Sequence, residues 1–226
     1  MVLSCPKVIS LAPSVTETIE YLGKGKCLIA TTVYTKDGRK KIGGIVDPDL
    51  EKIVSLKPDF VIATTLTPAR IIKAIESAGI RVVVIRANTI DDIERNIKII
   101  GTILNVRDLN EKVERFREVF RRRIRKKRGD VLIVVGCDNL IVTGRNTYLS
   151  QIFERYGFTN IAVKEGWYRI NLEYLYKRKP EYIFTFCDLK LSFPFRVKVI
   201  KLKREKFLHP SPELIDALKE LEVVIR

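Results

Sequence analysis

The sequence has no run of about 18 apolar residues, and it has a single histidine and only four cysteines among its 226 residues. The first absence excludes a membrane-spanning helix of ordinary length. The lone histidine, His209, cannot by itself make a site of the kind that binds Zn²⁺ or Mn²⁺ through several imidazole and carboxylate groups. The cysteines show no C-x-x-C spacing, which argues against a zinc knuckle and against a thioredoxin-like redox site.

The motifs of common catalytic sites are also missing. The chain has no serine elbow, no phosphate-binding P-loop and no H-E-x-x-H helix, and one histidine excludes most acid–base schemes. Asp188 and Glu165 would act as a carboxylate pair only if the fold brought them together. We therefore expect no enzymatic activity, and an enzyme on the same fold is kept as an alternative.

Positive charge is in clear excess, because 42 lysines and arginines stand against 27 aspartates and glutamates and give a net charge of +15. Such a balance favours anionic partners or surfaces as a class. Residues 121–128 are nearly all cations, but cations at the end of a helix also offset its dipole, and no recognition motif accompanies them. The sequence predicts no specific nucleic-acid binding; a basic surface that binds an anionic partner such as nucleic acid is the alternative.

Cys5 and Cys27 each stand just before a predicted strand. The chain is rich in Ile, Val, Lys, Arg and Glu and has one Gln, a composition typical of proteins from very hot habitats, where disulfides form even inside cells. A Cys5–Cys27 disulfide is therefore a candidate, and four buried thiols are the alternative.

The first seven residues lack the charged and long apolar regions of a signal peptide, which predicts a cytoplasmic protein as the sequence stands. Residues 2–5, Val-Leu-Ser-Cys, also resemble the end of a bacterial lipoprotein signal. If a leader was removed from this chain, the protein would be extracytoplasmic and associated with a membrane.

Short apolar runs alternate with helical patterns along the whole chain, and 46 % hydrophobic residues suffice for a substantial core. The predicted strands are 7–12, 27–32, 60–63, 81–85, 131–135, 160–163, 182–186 and 197–202. The predicted helices are 15–22, 47–56, 68–78, 89–104, 109–127, 148–156, 171–179 and 212–221. This alternation predicts an α/β fold with parallel sheets.

The most regular segment runs from Leu109 to Lys127. Asp108 and Glu111 fit a capping box, and apolar residues recur at steps of three or four on one helical face: Leu109, Val113, Phe116, Phe120 and Ile124. Nineteen residues at 1.5 Å each predict a rod of roughly 30 Å. Such a rod can hold two lobes apart, so the predicted division is an N-terminal lobe 1–107, a connecting helix 108–128 and a C-terminal lobe 129–226.

Several runs, taken in order, resemble the cobalamin and iron-siderophore solute-binding proteins of ABC importers. The N-lobe signatures of that family resemble residues 10–17 (Ser-Leu-Ala-Pro-Ser-Val-Thr-Glu), 46–53 and 56–63. The C-lobe signatures resemble residues 143–144, 166–167, 179–183 and 210–214. Each run alone has low specificity, but the ordered set covers nearly the whole chain. The resemblance implies two Rossmann-like lobes joined by a single long rigid helix, with the ligand clamped in the cleft between the lobes.

Ligands of open α/β sheets bind beyond the carboxyl ends of the strands. We therefore expect the site at the loops that follow the predicted strands, which are 13–14, 32–34, 64–65, 143–146, 164–169 and 186–188.

A large flat ligand needs aromatic walls and a few fixed polar groups. Trp167 is the only tryptophan, falls in a predicted loop and stands at the Gly-Trp position where the family places aromatic contacts. For Trp167 the alternative is a tryptophan that covers the edge of the core. Arg169, Arg145 and Lys164 could bind an anionic ligand through charge-assisted hydrogen bonds, and a solvated surface role is the alternative for each. The candidate ligand-binding residues are Ser14, Tyr34, Thr65, Arg145, Trp167, Tyr168 and Arg169.

The resemblance implies a non-catalytic protein, without an intrinsic cofactor, that captures a cobalamin-like corrinoid or a ferric siderophore for an ABC importer or as an intracellular relative. Heme is a third candidate ligand, and His209 is a candidate axial ligand. We expect a monomer. Importer-docking members carry an exposed glutamate on each lobe, whereas this chain has Ala69 and Arg70 at one position and Leu208 and His209 at the other.

Overall fold

The computed structural model describes residues 5–121 and 126–225. These residues form two compact units. The N-terminal unit comprises residues 5–87, 92–116 and 211–213, and the C-terminal unit comprises residues 88–91, 117–121, 126–210 and 214–225. Strands and helices alternate in both units, which confirms the predicted α/β class. The predicted lobe boundaries at residues 107 and 129 stay a prediction.

The N-terminal unit is built on a sheet of five parallel strands in the order β3-β2-β1-β4-β5. The central strand β1 is buried along its whole length, as expected for the middle of a covered parallel sheet. The strands are β1 (Val8–Ser10), β2 (Leu28–Thr31), β3 (Lys40–Lys41), β4 (Phe60–Thr64) and β5 (Arg81–Ile85). The short edge strand β3 is absent from the sequence-based prediction.

The helices of this unit begin close to where the sequence predicts them. They are α1 (Pro13–Tyr21), α2 (Leu50–Ser55), α3 (Ala69–Ser77), α4 (Ile90–Ile103) and α5 (Leu109–Arg121), of which α4 and α5 also have residues in the C-terminal unit. Helix α2 begins at Leu50 because the Asp49 side chain accepts the Lys52 backbone N–H at 3.0 Å, so the predicted start at residue 47 is too early.

The sequence predicts Ser14 as the N-cap of α1, because Glu17 three residues later completes a capping-box pattern, but Ser14 is not the N-cap. The N-cap is Ala12, and Pro13 fills the first helical position, where its fixed φ suits the helix and its missing N–H costs nothing. Ser14 therefore lies in the first turn, where its carbonyl oxygen accepts a hydrogen bond from the Thr18 hydroxyl at 2.7 Å. The predicted capping partner Glu17 instead accepts a 2.6 Å hydrogen bond from Ser211.

Helix α5 is shorter than the sequence predicts. It covers Leu109–Arg121, about 20 Å at 1.5 Å per residue, and Lys126 and Lys127 are not helical. The buried residues of its face are Val113 and Phe116, as the periodicity indicates. Ile124 and half of the basic run 121–128 fall in residues 122–125, outside the described residues, so the helical prediction for Ile124 stays a prediction.

The C-terminal unit is built on a six-stranded mixed sheet. The strands β11, β10, β6, β7 and β9 lie side by side in that order, and β8 pairs with the first half of β6. Strands β6, β8, β10 and β11 are parallel to one another, whereas β7 is antiparallel to β6 and to β9. The strands are β6 (Gly129–Gly136), β7 (Ile141–Thr143), β8 (Phe158–Asn160), β9 (Trp167–Arg169), β10 (Tyr182–Thr185) and β11 (Lys198–Lys201).

Four further helices complete this unit: α6 (Tyr148–Arg155), α7 (Leu172–Arg178), α8 (Arg204–Phe207) and α9 (Leu214–Val224). The Thr147 and Asn171 side chains cap α6 and α7 by accepting the backbone N–H groups of Ser150 and Tyr174. Helix α9 begins two residues after the predicted Pro212, and α8 is not predicted by the sequence.

An irregular extended segment, residues 187–197, connects β10 to β11; we call it the strap. Parallel strands are usually joined through a helix, but here one side of the strap packs on the hydrophobic core of the sheet while the other side is exposed. The packed residues alternate with exposed ones along the segment, and they are Leu189, Leu191, Phe193, Phe195 and Val197.

The four cysteines form two disulfides, one in each unit. Cys5 and Cys27 are joined with their Cα atoms 5.3 Å apart, and Cys137 and Cys187 with their Cα atoms 6.0 Å apart. Both separations lie within the usual range for disulfides. The second bond, which the sequence does not predict, ties the residue after β6 to the first residue of the strap.

Candidate functional site

The N-terminal unit brings three predicted site residues to one edge of its sheet. All five strands are parallel, so their carboxyl ends share that edge. Ser14, Tyr34 and Thr65 come from the segments that follow β1, β2 and β4. The strand order changes direction at β1 and β4, and such a switch point is where open α/β sheets bind ligands.

These residues differ in accessibility. Tyr34 is 58 % exposed, and Thr65 is exposed as well, whereas Ser14 is only 6 % exposed and presents little surface to a ligand. Two apolar residues that the sequence analysis missed, Val33 and Leu66, are 55 % and 69 % exposed at the same edge. Their signal in the sequence is their position directly after strand ends, next to Tyr34 and Thr65.

Asp37 holds the loop that carries Tyr34. Its carboxylate accepts hydrogen bonds from Thr31 at 3.0 Å and Arg39 at 2.8 Å, and it also pairs with Lys41. Partial burial raises the pKa of Asp37, but these hydrogen bonds outweigh the burial and lower the pKa to about 2. Arg39 extends the network by donating to Glu20 at 2.6 Å.

In the C-terminal unit, two loops are hydrogen-bonded to each other through their backbones. The N–H groups of Gly144 and Arg145 donate to the carbonyl oxygens of Gly166 and Lys164 at 2.7 and 2.9 Å, and the Gly166 N–H donates back to Arg145 at 2.9 Å. Gly144 permits this approach, because a Cβ there would overlap the Lys164 carbonyl and stand 2.8 Å from the Tyr168 ring. The paired loops place Arg145 and fix the start of β9.

The predicted loop 164–169 is in part a strand, which corrects the prediction for Trp167, Tyr168 and Arg169. They form β9, whose pairing with β7 puts Trp167 opposite Thr143 and Arg169 opposite Ile141. Side chains alternate across a strand. Accordingly Trp167 lies against the ring of Tyr148, whereas Tyr168 packs on the hydrophobic cluster under the strap.

The antiparallel pairing also moves one predicted loop. The loop 186–188 leaves the sheet at the carboxyl end of β10, as predicted. In contrast, β7 runs backwards along β6, with Val142 opposite Val134, so the loop 143–146 leaves the sheet partway along β6. These two loops therefore do not share the carboxyl edge, and that expectation was wrong.

A cavity of about 600 Å³ lies beside β9 in the C-terminal unit. Of the predicted site residues, Tyr168 and Arg169 line it, and Arg145 and Trp167 do not. The other lining residues come from the turn after β6, from the loop before β9 and from the start of α7. They are Asp138, Asn139, Leu140, Val163, Lys164, Ile170, Asn171, Leu172 and Tyr174. Of these, the sequence indicated only Lys164 as a ligand contact, and sequence reasoning missed the rest.

The cavity combines aromatic walls with positive charge. The Lys164 ammonium lies 5.7 Å from the centre of the Tyr168 ring, and the Tyr168 hydroxyl accepts the Lys164 backbone N–H at 3.3 Å. Burial raises the pKa of Tyr168, so its phenol stays protonated at neutral pH. Within the described residues, neither Lys164 nor Arg169 has a carboxylate within ion-pair distance, and Asp138 is the only acidic residue of the lining.

The described part of the chain contains no group of three or more His, Cys, Asp or Glu residues placed to hold a metal ion. Among the same residues, no helix is long and apolar enough to cross a membrane. The aromatic side chains and the two cations of the cavity lining can contact a flat molecule that carries acidic groups.

Comparison with known proteins places these features in one family. An uncharacterised ABC transporter substrate-binding lipoprotein, YvrC of Bacillus subtilis, is 27 % identical over 95 % of this chain and 78 % of its own length. The vitamin B12-binding protein of Pectobacterium carotovorum is 27 % identical over 95 % of this chain and 86 % of its own length.

Among solved structures, a periplasmic heme-binding protein from Pseudomonas aeruginosa has the same fold, with a TM-score of 0.82 and 24 % identity over 97 % of this chain and 92 % of that one. The family model of periplasmic binding proteins matches residues 8–224. That match extends over nearly the whole sequence and over both units. The chain belongs to the periplasmic binding protein family.

Proposed function

We propose that this protein is a non-catalytic solute-binding protein that captures a bulky metal chelate. The observation that carries the proposal is the cavity beside β9, where Tyr168 and Tyr174 supply aromatic walls and Lys164 and Arg169 supply unpaired positive charge. The binding proteins to which the chain is similar are described as binding vitamin B12 and heme, both of which are large and largely flat chelates. A cavity of this volume falls in the usual range for small-molecule sites.

The charges favour a ligand that carries acidic groups. Arg169 and Lys164 can form charge-assisted hydrogen bonds with carboxylates, and Asp138 offsets only one of the two positive charges. Heme and many ferric siderophores carry carboxylates on their periphery, whereas the corrin amides of cobalamin are neutral. The charge pattern therefore ranks a carboxylate-bearing chelate above a corrinoid.

The remaining predicted site residues are assigned supporting roles in the proposal. Trp167 and Arg145 lie at the paired loops next to the cavity, and Tyr34 and Thr65 lie on the exposed edge of the N-terminal sheet. Ser14 is nearly buried and would contact a ligand through little more than its backbone. That one ligand touches both units, and that His209 serves as an axial ligand, stay predictions.

We further propose that the captured ligand is delivered to an ABC importer and that the protein acts outside the cytoplasm. The support is that YvrC is described as a substrate-binding lipoprotein of an ABC transporter. Ala69 begins α3, and the exposed Arg70 beside it would meet an importer without the glutamate expected there. A monomer is the proposed state in solution.

The proposal is tested by titrating the protein with hemin, a ferric siderophore and cyanocobalamin while following ligand absorbance and Trp167 fluorescence. The double variant Lys164→Ala/Arg169→Ala should lose roughly tenfold or more in hemin affinity, since two charge-assisted contacts disappear. The matched control is Lys190→Ala/Arg196→Ala, which removes two exposed cations of the strap that do not line the cavity.

Hemin dimethyl ester tests the role of the ligand's carboxylates, because both are esterified and carry no charge. It should bind the wild type and the Lys164→Ala/Arg169→Ala variant with equal affinity. Equal losses in the cavity variant and the strap variant would show that only the general positive charge matters. If the wild type bound none of the three chelates, the proposed function would be wrong.

A further inference from the structure

The Cys137–Cys187 disulfide adjoins the ligand cavity. Cys137 directly precedes Asp138, Asn139 and Leu140, which form one wall of the cavity, and Cys187 begins the strap. The sulfur of Cys137 also lies 3.4 Å from the Thr185 hydroxyl, at the carboxyl end of β10. The cross-link thus ties a cavity wall to the neighbouring parallel strand.

The wall itself is a tight turn under conformational strain. Leu140 has a φ of 45°, in the left-handed region that leucine rarely adopts, and its N–H reaches the Cys137 carbonyl at the long distance of 3.4 Å. Its own carbonyl oxygen accepts the Ile170 N–H at 3.0 Å, and Ile170 lines the facing side of the cavity. The position of Leu140 therefore sets the distance between two walls.

The other end of the disulfide, Cys187, holds the strap near the two aromatic residues of the cavity, Tyr168 and Tyr174. Tyr168 and Tyr174 pack on the same hydrophobic cluster as the apolar residues of the strap. Within the described residues, no backbone hydrogen bond joins residues 188–197 to the sheet. Side-chain packing, the disulfide and the exposed ion pair between Asp188 and Lys201 hold the strap there. Opening the disulfide would leave both the turn and the strap less restrained.

We propose that Cys137 and Cys187 are positioning residues of the ligand site, so that ligand affinity depends on the oxidation of this one disulfide. The inference rests on the proposed function, because it concerns the same cavity. A preorganised wall binds without first losing conformational freedom, whereas a loosened wall must be ordered at the moment of binding. Reduction by a dithiol breaks the S–S bond, adds two electrons and two protons to form two thiols, and oxidises the dithiol to its own disulfide.

The test compares two disulfide deletions in the full chain. Cys137→Ala/Cys187→Ala should weaken hemin binding by about tenfold or more, with a faster off-rate, because the bound wall must now be ordered. Cys5→Ala/Cys27→Ala removes the disulfide of the other unit and serves as the matched control, expected to bind within about twofold of the wild type. Treatment of the wild type with dithiothreitol should reproduce the effect of the first variant, and reoxidation should reverse it.

Amide hydrogen exchange provides a readout that needs no ligand. Exchange at Leu140 and Ile170 should accelerate in Cys137→Ala/Cys187→Ala and stay unchanged in Cys5→Ala/Cys27→Ala. Unchanged exchange, unchanged affinity, or equal loss of affinity in both double variants would overturn the inference. If the wild type bound no chelate, the proposed function would fail by itself, and the exchange data would still decide whether this disulfide positions the wall.

Discussion

The ring of Trp167 lies 6.0 Å from the ring of Tyr148, at an interplanar angle of 51°. Tyr148 is 2 % exposed, and its hydroxyl donates to the Phe207 carbonyl at 2.9 Å, so its position is fixed. Trp167 remains 42 % exposed. The indole is thus held by a rigid neighbour while much of its surface stays open, which is the arrangement that a stacking ligand requires.

Trp167 does not line the cavity, so the prediction concerns a chelate that extends beyond the cavity onto the open indole. Replacing Trp167 by Ala should then lower the affinity for the chelate that the wild type binds best by roughly tenfold or more, because an aromatic contact is lost. Trp167→Phe should retain part of that affinity. Ligand absorbance is the measurement, because the variants lack the tryptophan signal. Tyr176→Ala is the matched control, since Tyr176 is 37 % exposed and, like Trp167, does not line the cavity, but it lies on α7 and not beside Tyr148. A loss of equal size in that control would argue against a specific role for the indole.

Substituting Gly144 should break the contact between the paired loops. A Cβ there would overlap the Lys164 carbonyl, so Gly144→Ala should lower the free energy of unfolding by about 1–3 kcal/mol and weaken ligand binding. Urea denaturation measures the first effect. Gly38→Ala is the control, because a Cβ at Gly38 meets no atom within 4 Å and its φ is not in the left-handed region. Similar stability of the two variants would contradict the proposed packing.

The cap of α6 should make a measurable contribution to stability. The Thr147 hydroxyl accepts the Ser150 N–H at 3.2 Å and lies 2.6 Å from the Thr143 hydroxyl. Thr147→Ala should therefore lower the free energy of unfolding by about 1 kcal/mol, whereas Thr147→Ser keeps the accepting oxygen and should lose much less. Thermal melting of the two variants separates the loss of the cap from the loss of a methyl group.

Asp37 should make the stability depend on pH in the acid range. Its pKa is about 2 in the folded protein against an ordinary value of 3.8. A depressed pKa stabilises the folded state above the unfolded pKa, and that stabilisation, at most about 2 kcal/mol, is lost as the pH falls from about 4 to about 2.

The measurement is the stability difference between the wild type and Asp37→Asn at pH 5 and at pH 2. The difference should be largest at pH 5 and should shrink towards pH 2, because there the carboxyl is almost fully protonated in the unfolded chain and about half protonated in the folded protein. Asp188→Asn removes an exposed ion pair with Lys201 and is the control, with little change expected at either pH. A difference for Asp37→Asn that did not vary with pH would contradict the assigned network.

The sequence located most of the elements because their signals are local. Strand β5 begins and ends at the predicted residues, and β4 follows Pro58 as predicted, since apolar runs flanked by proline or glycine define strands without knowledge of their partners. Strand β9 was missed because three residues are too few to show an alternation. Its existence depends on pairing with β7, which lies more than twenty residues earlier in the chain.

The cavity was predictable only in part for the same reason. Tyr168 was a candidate as an aromatic wall for a flat ligand, and Arg169 as a cation for an anionic ligand. Leu140 and Tyr174 gave no signal, because they come to the cavity through the turn after β6 and the start of α7. In the strap the sequence predicted a strand residue where the structure has none. Val197 was assigned to a strand, but it packs on the core without joining the sheet.

Strand β11 is an edge strand of the C-terminal sheet. Its backbone pairs with β10 on one side, and within the described residues no strand pairs with its other side. Val199 is 43 % exposed on this strand, with Lys198 before it and Lys201 two positions later. Lys201 is paired with Asp188, so if two copies met along this edge, the Lys198 ammonium groups would supply most of the repulsion between them. This charge disfavours edge-to-edge pairing of β11 between copies and so disfavours fibrous aggregation. High ionic strength would screen the repulsion and weaken this protection.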